Sequence, residues 1–156
     1  MDLMCVGAAI PWDPERDVPV RRKPAKFPFT NLLAAVCWHP DHPVSLRDFA
    51  ALSPQTQGVW YEWAVAQELW RRRVVAGEDF PENMLFWQAG EHEIDFVLRP
   101  ELLIEVKRGQ ASALDFAWFP KVFPRKRLVV ITTERFETAF CRAMTLADFL
   151  AGRDGE

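Results

Sequence analysis

Proline sets the limits within which this chain can build regular structure. Twelve of the 156 residues are proline, and five of them (11, 14, 19, 24 and 28) fall within the first thirty positions. The ring fixes φ and removes a backbone N–H, so regular helix is excluded there. Positions 1–30 therefore read as an extended lead-in, with one folded domain over 31–156. Pro40, Pro43 and Pro54 then confine two short helical stretches, 31–38 and 45–52, the second with Ser45 as its N-cap. From 56 to 73 there is no proline, and apolar residues stand at 59, 60, 63–66, 69 and 70. That spacing predicts a long helix, and Arg71, Arg72 and Arg73 suit its negative C-terminal pole.

Beyond a polar connection at 74–83, three short strands are predicted at 84–88, 94–98 and 102–107. Turn residues Ala89-Gly90-Glu91 and Arg99-Pro100-Glu101 separate them. Ser112 is placed to cap a helix through Phe119 that Pro120 stops. Positions 127–133, Arg-Leu-Val-Val-Ile-Thr-Thr, form the strongest strand signal, apolar enough to be buried on both faces. Thr145 opens a last helix that ends before Gly152. Helix, three strands, helix, strand and helix in that order predict a mixed α/β domain built on a central sheet.

Chemistry concentrates in the predicted hairpin. Residues two apart on a strand share a face, so Glu105 and Lys107 point together, away from Ile104 and Val106. On the preceding strand Asp95 and Val97 share one face, and Ile94, Phe96 and Leu98 the other. A tight turn would bring Asp95, Glu105 and Lys107 to one side of the sheet. Carboxylates in such apolar surroundings need a cation or an ammonium beside them. Two acids and a lysine are what metal-dependent phosphodiester cleavage uses: the acids hold Mg²⁺, and the lysine steadies charge in the transition state. A solvent-facing salt-bridged pair is the competing reading of Glu-x-Lys.

Glu62 shifts that balance. Its neighbours one and two turns on are Val65, Ala66 and Leu69, which puts the carboxylate on an apolar stripe facing the sheet. Glu68, in contrast, is read as solvent-facing. His39 and His42, among prolines, are read as loop residues; His92 lies near Asp95 and Gln110 just past Lys107, both as secondary substrate contacts. Ser112 has no histidine placed to activate it and is read as a helix cap. Trp60, Trp63 and Trp70 are read as core or subunit contact.

The stretches Gly58-Val-Trp-Tyr-Glu62-Trp-Ala-Val-Ala-Gln-Glu-Leu69, Leu85-Phe-Trp87, Glu93-Ile-Asp95-Phe-Val97 and Ile104-Glu105-Val-Lys107, with Lys26-Phe-Pro-Phe-Thr-Asn-Leu-Leu33 ahead of them, carry a family resemblance. Together they resemble the PD-(D/E)xK nuclease-like module found at the C-terminus of many prokaryotic AAA-type ATPases. The resemblance spans roughly 20–150 and rests on order, spacing and context combined. It implies a restriction-endonuclease-like central mixed sheet flanked by helices. It also implies that Glu62 is the helix-borne acid, Asp95 the motif aspartate, and Glu105 and Lys107 the (D/E)xK pair. The catalytic set would be Glu62, Asp95, Glu105 and Lys107, with Mg²⁺ or Mn²⁺ held by Asp95, Glu105 and Glu62, and DNA as substrate.

No G-x-x-x-x-G-K-S/T loop occurs, so nucleotide is not bound by that route. The chain is expected to be a piece of a longer ATPase or a stand-alone unit. The alternative is a catalytically silent nuclease fold that contacts an ATPase, another partner or a second copy of itself. Seven Trp and twelve Phe against one Tyr, with a net charge of −3, favour that alternative. Basic clusters at 21–26, 71–73 and 121–127 leave DNA binding without cleavage as a third reading. Cys5, Cys37 and Cys141 lack metal-ligand spacing and are read as small apolar fillers. No membrane contact is expected, since no apolar run approaches about 20 residues; a reducing cytoplasm is the expected compartment.

Overall fold

A computed structural model describes residues 6–81, 83–98 and 102–153. Cys5 and the turn expected at Arg99-Pro100-Glu101 lie outside the described residues.

Local signals start each helix. Asn31 caps α1 (Leu32–Trp38), its side chain accepting the N–H groups of Leu33 and Ala34. Ser45 caps α2 (Leu46–Ala51). Ser53 caps α3 (Pro54–Val75), accepting the N–H of Thr56, with Pro54 in the first turn where its missing donor is harmless. The face of α3 carrying Val65, Ala66 and Leu69 is buried against the sheet.

Two sheets share the strands. The first has the order β2-β1-β3-β4, from β1 (Ala8–Asp13), β2 (Val18–Pro19), β3 (Asn83–Ala89) and β4 (His92–Ile94). The second has the order β5-β6-β7-β9-β8, from β5 (Phe96–Leu98), β6 (Leu102–Val106), β7 (Arg127–Ile131), β8 (Phe136–Glu137) and β9 (Cys141–Met144). The architecture is mixed α/β. Proline excludes helix from the lead-in but not pairing: β1 runs parallel to β3 and antiparallel to β2, so this segment supplies an inner strand. Gly90, at φ 61, closes the two-residue turn between β3 and β4.

The strand expected at 94–98 is broken at Asp95. Its first half, β4, pairs with β3, and its second, β5, pairs antiparallel with β6. The break resets the alternation of side chains. Phe96 and Leu98 face α3, whereas Ile94 joins Val97 in the cluster on the other side of the sheet. The expected grouping of Ile94 with Phe96 and Leu98 is thereby corrected.

Two cores cover the sheet. One holds Val65, Ala66, Leu69, Phe96, Ile104 and Val106, together with Phe149 of α5 (Leu146–Leu150). The other is aromatic, built around Trp12, Trp87, Phe116, Phe119 and Phe123. Strand β7 feeds both: Val129 and Ile131 enter the first, Leu128 and Val130 the second. The helix expected at 112–119 is instead a 3₁₀ turn (Ala113–Phe116) followed by α4 (Phe119–Val122). Pro120 sits in the first turn of α4, where proline is tolerated, and does not act as a stop.

Glu68 is buried, contrary to the sequence expectation. Arg71 and Arg72 fold back onto its carboxylate at 2.7 Å, and Arg72 also donates to the carbonyl of Phe149 at 2.6 Å and lies over that ring. The ion pairs compensate the burial and hold its pKa below the usual range. Cys141 is a buried filler, but Cys37 is exposed.

Phe149 is 0% exposed, so Phe149→Ala is expected to lower stability by about 3–5 kcal/mol in urea denaturation. Leu46→Ala, at a side chain 89% exposed, is expected to change it by less than about 0.5 kcal/mol.

Candidate functional site

The break at Asp95 leaves a backbone donor without a ladder partner. The antiparallel register Phe96↔Ile104 would place position 95 opposite Glu105 at the next step. There Asp95 supplies its side chain in place of its backbone: Oδ2 accepts the N–H of Val106 at 2.8 Å. The carboxylate is thereby fixed in the interior, 6% exposed. Burial raises its pKa; the Val106 hydrogen bond and the charge of Lys26 oppose that shift.

Glu105 lies on β6 beside Val130 of β7, on the aromatic side of the sheet. Its Oε1 meets Lys107 Nζ at 2.6 Å, and its Oε2 is buried with no hydrogen-bond partner among the described residues. Desolvation, reinforced by the charge of Asp95, pushes its pKa up to about 8. Lys107 has its own pKa raised: desolvation works against its charge, but Glu105 and Asp95 outweigh it.

Glu62 approaches from α3, on the other side of the sheet. It lines a cavity of about 90 Å³ with Lys26, Asp95, Trp63, Phe96 and Pro28. Burial and the charge of Asp95 raise its pKa to about 7. Glu62 and Glu105 therefore do not share a face, as a helix laid directly over the hairpin acids would require. Asp95, at the strand break, stands between them and repels both.

Two participants have no role assigned from sequence. Glu93 of β4 acts electrostatically on Glu62, Asp95 and Glu105. Lys26 of the lead-in is ion-paired with Glu93 and stands 3.6 Å from Asp95 Oδ1. Glu93 stands two residues before Asp95, a spacing that strand alternation puts on one face. Lys26 belongs to the basic cluster at 21–26, and nothing in its local sequence points it at the acids.

Carboxylate oxygens are donors of the kind a hard divalent ion takes. Among the described residues, four carboxylates stand with two ammoniums, an excess of two negative charges when all are ionised, and a buried oxygen of Glu105 has no hydrogen-bond partner. Among the described residues, no group of three or more Asp, Glu, His or Cys side chains is gathered as a metal site. Glu93 and Asp95 are turned toward Lys26, and Glu105 toward Lys107.

The secondary candidates lie elsewhere. Gln110 and Ser112 line a separate depression with Asp115 and Glu134. Ser112 behaves as a cap, its N–H donating to Asp115 at 2.8 Å. His92 stacks on Trp118 at 4.3 Å. His42 is exposed, whereas His39 packs edge-on against Trp60 and Trp63. Trp60 is buried and Trp70 packs against the core beside α3. The basic run 71–73 is consumed internally by Glu68 and Glu78. No helix among the described residues is long and apolar enough to cross a membrane. No family model, curated protein or solved structure matches the chain.

The raised carboxyl pKa values fix the sign of a pH effect. A group whose folded pKa lies above its unfolded value stabilises the fold at low pH, and that contribution is lost as pH rises through the folded value. Without added metal, stability is expected to fall between about pH 4.5 and 8. Glu105→Gln, which keeps shape and removes the charge, is expected to flatten that slope and to gain about 1–3 kcal/mol at pH 9, by urea denaturation.

Proposed function

We propose that this chain is a metal-dependent nuclease-like domain acting on DNA phosphodiester bonds, related to the PD-(D/E)xK modules of AAA-type ATPases. One observation carries the reading: Glu62 and Glu105, with pKa values raised to about 7 and about 8, flank buried Asp95, and lysines interleave with the acids. Strongly shifted acids grouped around a second charge are a mark of functional sites. Asp95, Glu105 and Glu62 would hold Mg²⁺ or Mn²⁺, with Asp95, at the strand break, as the ligand common to both sides of the sheet. The ion, when bound, supplies Lewis-acid stabilisation of charge on the phosphoryl group. Lys107, 51% exposed at its side chain and ion-paired with Glu105, would orient the attacking water and donate to a phosphate oxygen. The N–H of Val106 fixes one oxygen of Asp95.

Purified protein incubated with supercoiled and branched DNA plus Mn²⁺ is expected to nick or cut it. Asp95→Ala and Glu105→Ala are expected to lose at least about 10²-fold in rate. Wild-type behaviour of both variants would remove the catalytic assignment.

A second reading, a catalytically silent nuclease fold that docks an ATPase or another protein, is favoured by the apolar side chains gathered between positions 27 and 46. Phe27, Leu33, Trp38, Val44 and Leu46 are each at least 68% exposed. Melting temperature against Mn²⁺ separates the two. A working site binds metal in the native state only and is stabilised by about 2.7 kcal/mol at a hundredfold excess over Kd. A flat response in wild-type protein supports the silent fold.

A further inference from the structure

Lys26 is anchored in a way that surface lysines seldom are. Its backbone exchanges two hydrogen bonds with Ala9 of β1, N–H to carbonyl at 2.9 Å and carbonyl from N–H at 2.8 Å. Two residues further on, the carbonyl of Pro28 accepts the N–H of Gly7 at 2.9 Å. The stretch 26–28 is thus an extra strand-like run along β1, and β1 is itself paired with β3. This framework aims the side chain of Lys26 across the ring of Phe86, 5.1 Å from its centroid, into the cavity lined by Glu62 and Asp95. Its ammonium there pairs with Glu93 and stands 3.6 Å from Asp95 Oδ1. Oδ2 of the same carboxylate is already committed to the N–H of Val106. The oxygen of Asp95 without that backbone bond, Oδ1, is the one that faces Lys26.

We infer that Lys26 is a built-in competitor for the divalent ion: its ammonium occupies the cation position beside Asp95 and Glu93 and must withdraw before an ion can use those carboxylates. This rests on the metal-binding reading above. A point charge on a flexible stem suits the part, since it can leave by rotating its four-carbon chain while the backbone stays paired. The side chain is 38% exposed, so solvent is within reach of the displaced ammonium. Withdrawal frees Glu93 as well, which adds a carboxylate to the three named from sequence. The lead-in thereby becomes part of the site and sets the ion concentration at which the site fills.

The test measures Mn²⁺ binding to the full chain by calorimetry and by melting, at fixed pH and ionic strength. Lys26→Gln is expected to bind Mn²⁺ at least about tenfold more tightly than wild type, and Lys26→Arg to stay within about threefold of it. Equal or weaker binding by Lys26→Gln, with wild type still binding, overturns the inference and leaves the metal reading in place. Absence of Mn²⁺ uptake by both proteins overturns the two together. A measurement on wild type avoids any dependence on the variants folding. Acylation of Lys26 by an amine-reactive ester, read by peptide mass mapping, is expected to speed up at least about threefold when Mn²⁺ saturates the site, because the displaced ammonium enters solvent. An unchanged or slower rate at saturation overturns the proposal.

Discussion

The hydrogen bond from Val106 N–H to Asp95 Oδ2 is the contact on which the rest of the molecule turns. One run of sequence, 92–98, has to serve two sheets, pairing with β3 in its first half and β6 in its second. A strand that changes partners leaves a donor unmatched at the change, and a buried unmatched N–H is expensive. An aspartate at the break fills the gap with its side chain. An alanine there would leave the N–H bare, and a lysine would have no acceptor to offer. The same carboxylate that joins the sheets therefore also puts a negative charge into the interior.

That charge propagates outward. Asp95 makes ionisation of Glu62 and Glu105 harder from either side of the sheet, on top of what burial does to each. The lysines respond in different ways. Lys107 is local to Glu105, two positions along the same chain, and its pairing follows from strand periodicity. Lys26 is separated from Glu93 by 67 positions and reaches it only because the lead-in is folded against β1. Stability and the charge of the candidate site are thus coupled at one point: whatever neutralises these acids also relieves the interior of unbalanced charge.

What was legible in the sequence was local. The caps at Asn31, Ser45 and Ser53, the long helix, β7 and the acid-lysine alternation of β6 all follow from spacing within a few residues. The outcome is less legible wherever a distant partner decides it. Proline density marked 1–30 as non-helical, but that β1 slots in parallel to β3 depends on a strand more than seventy residues away. Glu68 read as solvent-facing because helix periodicity is blind to Arg71 and Arg72 folding back over it. Alternation along an unbroken strand groups Ile94 with Phe96, and nothing in Glu-Ile-Asp-Phe-Val announces a bend.

The candidate site shows the same division. Glu62, Asp95, Glu105 and Lys107 each carry a sequence signal, an acid or base out of place on an apolar face. Their arrangement carries none. A picture with all the acids on one face asks the helix to lie over the hairpin; in the molecule α3 covers the side of Ile104 and Val106, and Glu105 turns to the other. The strand break reconciles the two, because a residue at a bend belongs to neither face and can address both. A site organised this way depends less on the helix–sheet distance than on the geometry at position 95. Substitutions that disturb the β4–β5 break, even without touching an acid, should therefore alter the charge balance around Asp95 more than equal changes within α3, seen as a change in the pH dependence of stability.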